Sequence, residues 1–298
     1  MPYTAALDGG PLIEQDEDAR DALIQRYPQY EDTIESMHRN GFAVIDPKYY
    51  LYDLDEARSL CENSVPNKAG VQNAWMSNRA IENIATHASV IRLLSCLYGR
   101  RAFPFQTMNL AHGTERKACA DAYHFNSRPH GFMCSVWVAL EDVDENAGPL
   151  FYYPESHKRP YTDRRDLEGA RSYADYERHI GAQVIARDFK QQQARLQKGQ
   201  AVILAANLLH GGSPRLNPAL TRCTQVTHYF FEGCAYFSPI LEDEADSKNS
   251  ILEPFDIARR RFVKSNQDLL PGRPDLLHRL APQLAIWRGV LQRILAID

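Results

Sequence analysis

The sequence predicts a mainly β domain with flanking helices, built around an antiparallel sandwich or barrel. Three observations predict it. Before residue 100, apolar residues recur at helical spacing. From about residue 101, short β-branched and aromatic segments bounded by Gly and Pro replace that period. The chain has 298 residues, 44% hydrophobic and 24% charged, which suits one ordinary globular domain over 1–298. Within it we expect a helical part over about 1–100, a β core over about 101–232 with a polar insert over about 158–196, and C-terminal helices over about 250–298.

The N-terminal elements follow from local signals. Residues 14–40 read as one or two helices, interrupted by Pro28 and stopped by Asn40-Gly41. Phe42-Ala43-Val44-Ile45 before Asp46-Pro47 reads as a strand. Residues 53–64 and 79–98 read as helices; Ile81, Ile84, Ile91, Leu94 and Leu97 form a stripe and Gly99 ends the run. Strands follow at Phe103–Asn109, Phe132–Leu140, Gly148–Tyr153, Ala201–Ala205 and Cys223–Phe231. A polar helical segment at about 163–196 interrupts them. Residues 283–297 form an amphipathic helix with Leu284, Trp287, Leu291 and Ile294 on one stripe. That stripe would pack on the sheet or form a dimer contact.

Composition excludes several function classes. A net charge of -4 argues against nucleic-acid binding. The short run Arg259-Arg260-Arg261 reads as a solvated helix face. No apolar run approaches the roughly 18 residues of a membrane span. The acidic N-terminal stretch, with Glu14, Asp16, Glu17 and Asp18, is unlike a signal peptide, so a cytoplasmic location is expected. The six cysteines (61, 96, 119, 134, 223, 234) show neither CxxC pairs nor zinc spacing. In a reducing compartment most would be buried as small hydrophobes.

Four stretches carry a resemblance. They are Phe105-Gln106-Thr107-Met108-Asn109; Phe132 through Val143; Gly148-Pro149-Leu150 through Pro154-Glu155-Ser156-His157; and Asn207-Leu208-Leu209-His210-Gly211-Gly212-Ser213-Pro214, followed by Arg222 and Gln225-Val226-Thr227-His228-Tyr229-Phe230. In this order the chain resembles the phytanoyl-CoA dioxygenase family of iron(II)- and 2-oxoglutarate-dependent oxygenases. The resemblance implies a double-stranded β-helix, a cupin-like jelly roll with helices outside. It also implies Fe(II) and 2-oxoglutarate as cofactors, a small-molecule substrate, and oxidation of that substrate as the reaction. A metal-independent enzyme, or an inactive ligand-binding relative on the same scaffold, is the alternative.

Two departures from the family pattern stand out. The family has His-x-Asp where this chain has Cys119-Ala120-Asp121, and Pro-Gly-Ser-His where it has Pro154-Glu155-Ser156-His157. A facial triad takes two imidazoles and one carboxylate and leaves three metal positions open. By resemblance, Asp121 and His210 hold two of the ligand positions and Cys119 stands at the third. Cys119 is either a thiolate ligand or a neutral thiol filling the volume of a lost imidazole. His112, His124 and His130 lie near in sequence. On a regular strand 119 and 121 share a face and 124 does not, so His124 reads as structural or substrate-facing. Arg222, twelve residues after His210, matches the arginine that grips the distal carboxylate of 2-oxoglutarate, with Arg215 as the alternative. Gln106, Asn109 and Trp137 are expected as walls of the co-substrate pocket. Thr227, His228 and Tyr229 would line the substrate side.

Overall fold

The computed structural model describes residues 9–63, 70–169, 171–241 and 251–269. The N-terminal part holds α1 (Glu17–Arg26), α2 (Glu31–Asn40), β1 (Phe42–Ile45), α3 (Leu51–Asn63), β2 (Val71–Gln72), α4 (Arg79–Ala85) and α5 (Ala88–Tyr98). The strand-rich part begins at β3 (Ala102–Leu110) and continues through β4 (Asn126–Arg128), β5 (Met133–Ala139) and β6 (Leu150–Tyr152). After the insert helix α6 (Tyr173–Ala186) come β7 (Gln192–Gln193), β8 (Ala201–Ala205), β9 (His210–Gly212), β10 (Thr224–Phe231) and β11 (Ala235–Phe237). Three short strands, β12 (Ile251–Leu252), β13 (Phe255–Asp256) and β14 (Arg261–Phe262), close the described chain.

Local chemistry explains the N-terminal boundaries. The Asp16 carboxylate accepts from the Ala19 amide at the start of α1. Gly41 ends α2 at φ 79°, a left-handed position where glycine carries no Cβ penalty. The expected single helix over 79–98 is two. His87 is extended at φ -58°, ψ 121°, and the Thr86 hydroxyl donates to the Glu82 carbonyl, so α4 stops before α5 starts.

The main sheet has the order β1-β8-β5-β10-β3-β2, antiparallel at each pairing. β5 and β8 lie inside it and are buried throughout, which is why both read as near-continuous apolar runs. One face carries the helices. Gln225 Nε2 donates to the Ile81 carbonyl and the Tyr229 hydroxyl to the Ala85 carbonyl, tying that face of β10 to α4. Residues alternate faces along a strand, so Val226 and His228 point the other way, into the jelly roll. A register shift after His228 leaves Phe105 beside Phe230, their rings stacked with centroids 4.2 Å apart. The opposing small sheet has the order β7-β6-β9 and is extended by an antiparallel bridge between Cys119 and His210.

Two C-terminal expectations need correction. Residues 251–269 form short strands and turns rather than helices: Pro254 bars a helix there, and Phe255 stacks on Trp75 with centroids 5.6 Å apart. The Arg259-Arg260-Arg261 run is therefore not a helix face. It closes the β13–β14 hairpin, with Arg259 2.9 Å from Glu232 and Arg260 2.7 Å from Glu82. The expected helix over 283–297, and any dimer contact through it, lie outside the described residues. No helix among the described residues is long and apolar enough to cross a membrane.

Glu155 stands where the family turn has glycine, and it is left-handed at φ 67°. An L side chain there costs roughly 1–2 kcal/mol, partly offset by the greater unfolded-state freedom of glycine. Glu155→Gly should therefore raise stability by about 0.5–1 kcal/mol, read as a higher urea midpoint at unchanged slope.

Candidate metal and co-substrate site

The site is built where β9 meets the segment before β4. Cys119 and His210 exchange two backbone hydrogen bonds, each 2.9 Å. In such an antiparallel pair the two side chains share a face. Glycines make the approach possible. A Cβ on Gly211 would lie 2.5 Å from the Phe151 ring and 2.6 Å from the Arg116 carbonyl oxygen; one on Gly212 would lie 2.9 Å from the Glu115 amide nitrogen. After Cys119 the chain does not continue as a strand. Asp121–Tyr123 is a 3-10 turn, held by Ala122 N–H donating to the Ala206 carbonyl.

That turn brings Asp121 under His210. His210 Nε2 is 3.5 Å from Asp121 Oδ1, and His228 Nε2 is 3.9 Å from the same oxygen. Asp121 is 8% exposed and its Oδ2 is buried with no hydrogen-bond partner. His210 Nδ1 donates to the Leu208 carbonyl at 3.0 Å, which leaves Nε2 as the nitrogen facing Asp121. A backbone carbonyl holding the far nitrogen is the usual orienting contact of a metal-bound histidine. His124 joins the group, contrary to the regular-strand expectation, because the turn swings it round. Its Nε2 is 3.5 Å from the Tyr173 hydroxyl on α6. Tyr176 of the same helix accepts from the Ala120 amide and stacks on Tyr123 with centroids 3.7 Å apart. The insert thus forms a tyrosine wall over the site.

Electrostatics follow the burial. Desolvation opposes a charged Asp121, but the imidazoles of His210 and His228 and the Ser135 hydroxyl outweigh it and hold the carboxyl well below its usual range. His210 is moved the other way. Burial lowers its pKa, yet the Asp121 carboxylate holds it above the ordinary value. Burial keeps His228 and His124 neutral, His124 down at about 4. The Cys119 thiol is pushed up to about 12, first by burial and then by the neighbouring Asp121 charge. Arg116 and the Tyr173 hydroxyl favour a thiolate there, but burial and Asp121 outweigh them.

Arg222 forms the second half of the site. It is 2% exposed, its Nη1 donates to the Gly148 carbonyl at 2.8 Å, and its guanidinium lies 5.2 Å from the Trp137 ring centroid. Its Nε is buried without a partner, and among the described residues no carboxylate lies in ion-pair range of it. Desolvation alone lowers its pKa to about 10. An uncompensated buried guanidinium costs several kcal/mol unless a ligand supplies an anion. The orphaned oxygen of Asp121, the oriented His210 and the unpaired Arg222 together fit a divalent metal beside a dicarboxylate.

The structure sorts the remaining expected residues. Gln106 pairs across from His228 and shares its inward face, and Trp137 is on that face opposite Val226. Asn109 is not a pocket wall. Its amide lies 3.4 Å from Gln225, on the face covered by α4. Thr227 and Tyr229 share that outer face, and only His228 of the three points inward. Ser135 was missed by the sequence; its register opposite His228 places it beside Asp121. Among the described residues, one cluster of possible ligand atoms all within 4.8 Å of one another exists, at Glu62, Glu141 and Cys223; Asp121, His210 and His228 are less tightly gathered. Arg58 already pairs with both carboxylates of that cluster, 3.2 Å from Glu141 and 2.9 Å from Glu62.

Comparison with known proteins identifies a family and a fold. Residues 66–223 match the family model for phytanoyl-CoA dioxygenase (PhyH). The peroxisomal phytanoyl-CoA dioxygenase of Rattus norvegicus is 24% identical over 197 residues, which cover 63% of this chain and 56% of that protein. The chain therefore spans about half the length of the curated relatives it matches. Among solved structures, the non-heme alpha-ketoglutarate-dependent carbocyclase SnoK from nogalamycin biosynthesis superposes with a TM-score of 0.59 at 16% identity, covering 83% of this chain and 96% of that one. EctD from S. alaskensis with 2-oxoglutarate and 5-hydroxyectoine superposes with a TM-score of 0.55 at 14% identity, covering 89% of this chain and 91% of that one. At these identities the two structures establish a shared fold.

The Asp121–His210 pair gives the metal-free protein a specific pH dependence. The depressed Asp121 contributes stability above its unfolded pKa of about 4, lost as pH falls through the folded value. The raised His210 contributes stability fully present below about 6.5, lost as pH rises through its folded value. The wild type should therefore exceed Asp121→Asn most between about pH 4 and 6.5. Urea midpoints of both proteins across that range, in chelator, check this; a gap that widens above neutrality contradicts it.

Proposed function

The chain belongs to the phytanoyl-CoA dioxygenase family, and on that premise we propose that it is an iron(II)- and 2-oxoglutarate-dependent oxygenase that oxidises a small organic substrate. The observation that carries the reading is Arg222. A buried guanidinium with an unpartnered Nε and no acidic neighbour is a receptor awaiting an anion. The family cofactor 2-oxoglutarate supplies such a carboxylate.

Asp121 and His210 would hold the metal, with Leu208 fixing the ring of His210. Arg222 would bind the distal carboxylate of 2-oxoglutarate, with Trp137 packed against its guanidinium and Gln106 on the same inward face. When bound, the metal and 2-oxoglutarate together supply the oxidising power, using dioxygen, for attack on a substrate C–H bond. The apolar interior of β5 and β10 keeps water from the reacting atoms. Tyr173, Tyr176 and His124 would form the substrate side, since the Tyr173 hydroxyl reaches His124 and the Tyr176 hydroxyl reaches the Ala120 amide. All six cysteines are free thiols, which supports a reducing, cytoplasmic compartment.

Arg222→Lys should lower 2-oxoglutarate affinity by about 10- to 100-fold, because a point charge replaces a two-pronged donor whose bonds are worth about 1.5–3 kcal/mol each. Arg215→Ala should change it little. Calorimetric titration of the manganese-loaded proteins reads both, and equal affinities in wild type and Arg222→Lys would sink the assignment.

A further inference from the structure

The altered triad raises the question of which group, if any, replaces the missing imidazole. Three side chains compete: Cys119 itself, His124 and His228. Cys119 occupies the family position and shares a face with His210, but a thiolate there would set a second negative charge beside Asp121. His124 turns its Nε2 toward the Tyr173 hydroxyl at 3.5 Å, so its nearest contact is the tyrosine wall. His228 points its Nε2 at Asp121 Oδ1, the same oxygen that faces His210.

We propose that His228 is the second imidazole of the metal site, so that Asp121, His210 and His228 form the facial set and Cys119 is a neutral filler. The inference rests on the oxygenase reading and deepens it. Four observations support it. His228 is 5% exposed and its Nδ1 is buried with no partner, so nothing else in the protein claims the ring. The ring lies between apolar walls, with centroids 5.5 Å from Phe125 and 6.1 Å from Phe105, and neither wall offers it a polar partner. Strand β10 presents His228 inward, opposite Gln106 and Ser135, so backbone register fixes where the ring stands. Two of the three donor separations approach those of a coordinated set, while His210 and His228 stand further apart. Donors at right angles around an ion with bonds of about 2.1 Å stand about 3 Å apart. The Oδ1–Nε2 separations here are 3.5 and 3.9 Å.

Charge balance points the same way. A carboxylate with two neutral imidazoles leaves a divalent ion one net positive charge, which a bound dicarboxylate then offsets.

The test measures metal binding directly. Wild type, His228→Gln, His228→Gly and Cys119→Ala are prepared anaerobically without metal, and urea unfolding confirms that each is folded. Each is dialysed against Fe(II) and, separately, Co(II). Bound metal is counted and the cobalt absorption spectrum recorded. Mutating a group that only orients a ligand costs 10- to 100-fold in metal affinity, so losing a ligand should cost at least about 100-fold in His228→Gln. Cys119→Ala should keep wild-type affinity, wild-type cobalt protein should lack a thiolate charge-transfer band, and added imidazole should restore binding to His228→Gly. A purely structural His228 would not give that rescue. If folded His228→Gln binds metal as tightly as wild type, or if Cys119→Ala is the variant that loses it, this assignment is overturned while the oxygenase reading stands. If wild type binds neither metal, the oxygenase reading falls and the assignment with it.

Discussion

The reciprocal backbone hydrogen bonds between Cys119 and His210, 2.9 Å each way, are the constraint on which the rest of the site depends. They fix two segments that are 91 residues apart in sequence into one small sheet, and they do so only because Gly211 and Gly212 let the 113–119 segment pass without a Cβ in its way. Once that pairing is set, the turn at Asp121–Tyr123 has one place to go, beneath β9. His210 is then oriented from behind by Leu208 and from in front by Asp121. The geometry is preorganised by backbone contacts, which cost nothing at the moment of ligand binding.

The main sheet supplies the other half. β10 joins β5 and β3 along its whole length, so the position of every inward side chain on it is fixed by register. One face of β10 is spent on anchoring the helical layer through Gln225 and Tyr229. The other carries Val226 and His228 into the interior. Arg222 precedes the strand and reaches the same interior, where Gly148 and Trp137 hold it. Fold stability and site construction therefore use alternate residues of one strand, and a one-residue slip would exchange them.

Much of this was legible in the sequence, and the remainder was hidden for identifiable reasons. Asp121, His210 and Arg222 were singled out from the order of the motifs, and the structure sets Asp121 beside His210 and buries Arg222. The change from helical to strand period near residue 101 located the β core because half-buried elements must repeat with their own geometry. Faces were harder. Asn109 and Gln106 lie three residues apart on β3, and only the pairing with β10 shows that one faces the helices and the other the interior. His124 was placed away from Asp121 because a regular strand was assumed where the chain turns. The break between α4 and α5 fell within an unbroken apolar stripe, since Thr86 and His87 stop a helix by hydrogen bonding and dihedral angle rather than by polarity.

The replacement at position 119 is tolerated for a physical reason that the structure makes specific. Cys119 and His210 share a face, so the side chain at 119 must fit beside an imidazole and a carboxylate whose Oδ2 already lacks a partner. A small neutral thiol fills that space without adding charge. Its ionisation is opposed twice, by burial and by Asp121, which is why its pKa stands at about 12. The same carboxylate that a metal needs thus keeps the thiol protonated while no cation is present. His228 carries no such conflict, because a neutral imidazole beside a carboxylate is attracted as it gains a proton or a metal and is otherwise indifferent. Substitution at one ligand position can therefore leave the charge of the site unchanged, provided that an inward-facing imidazole is held on the opposing sheet.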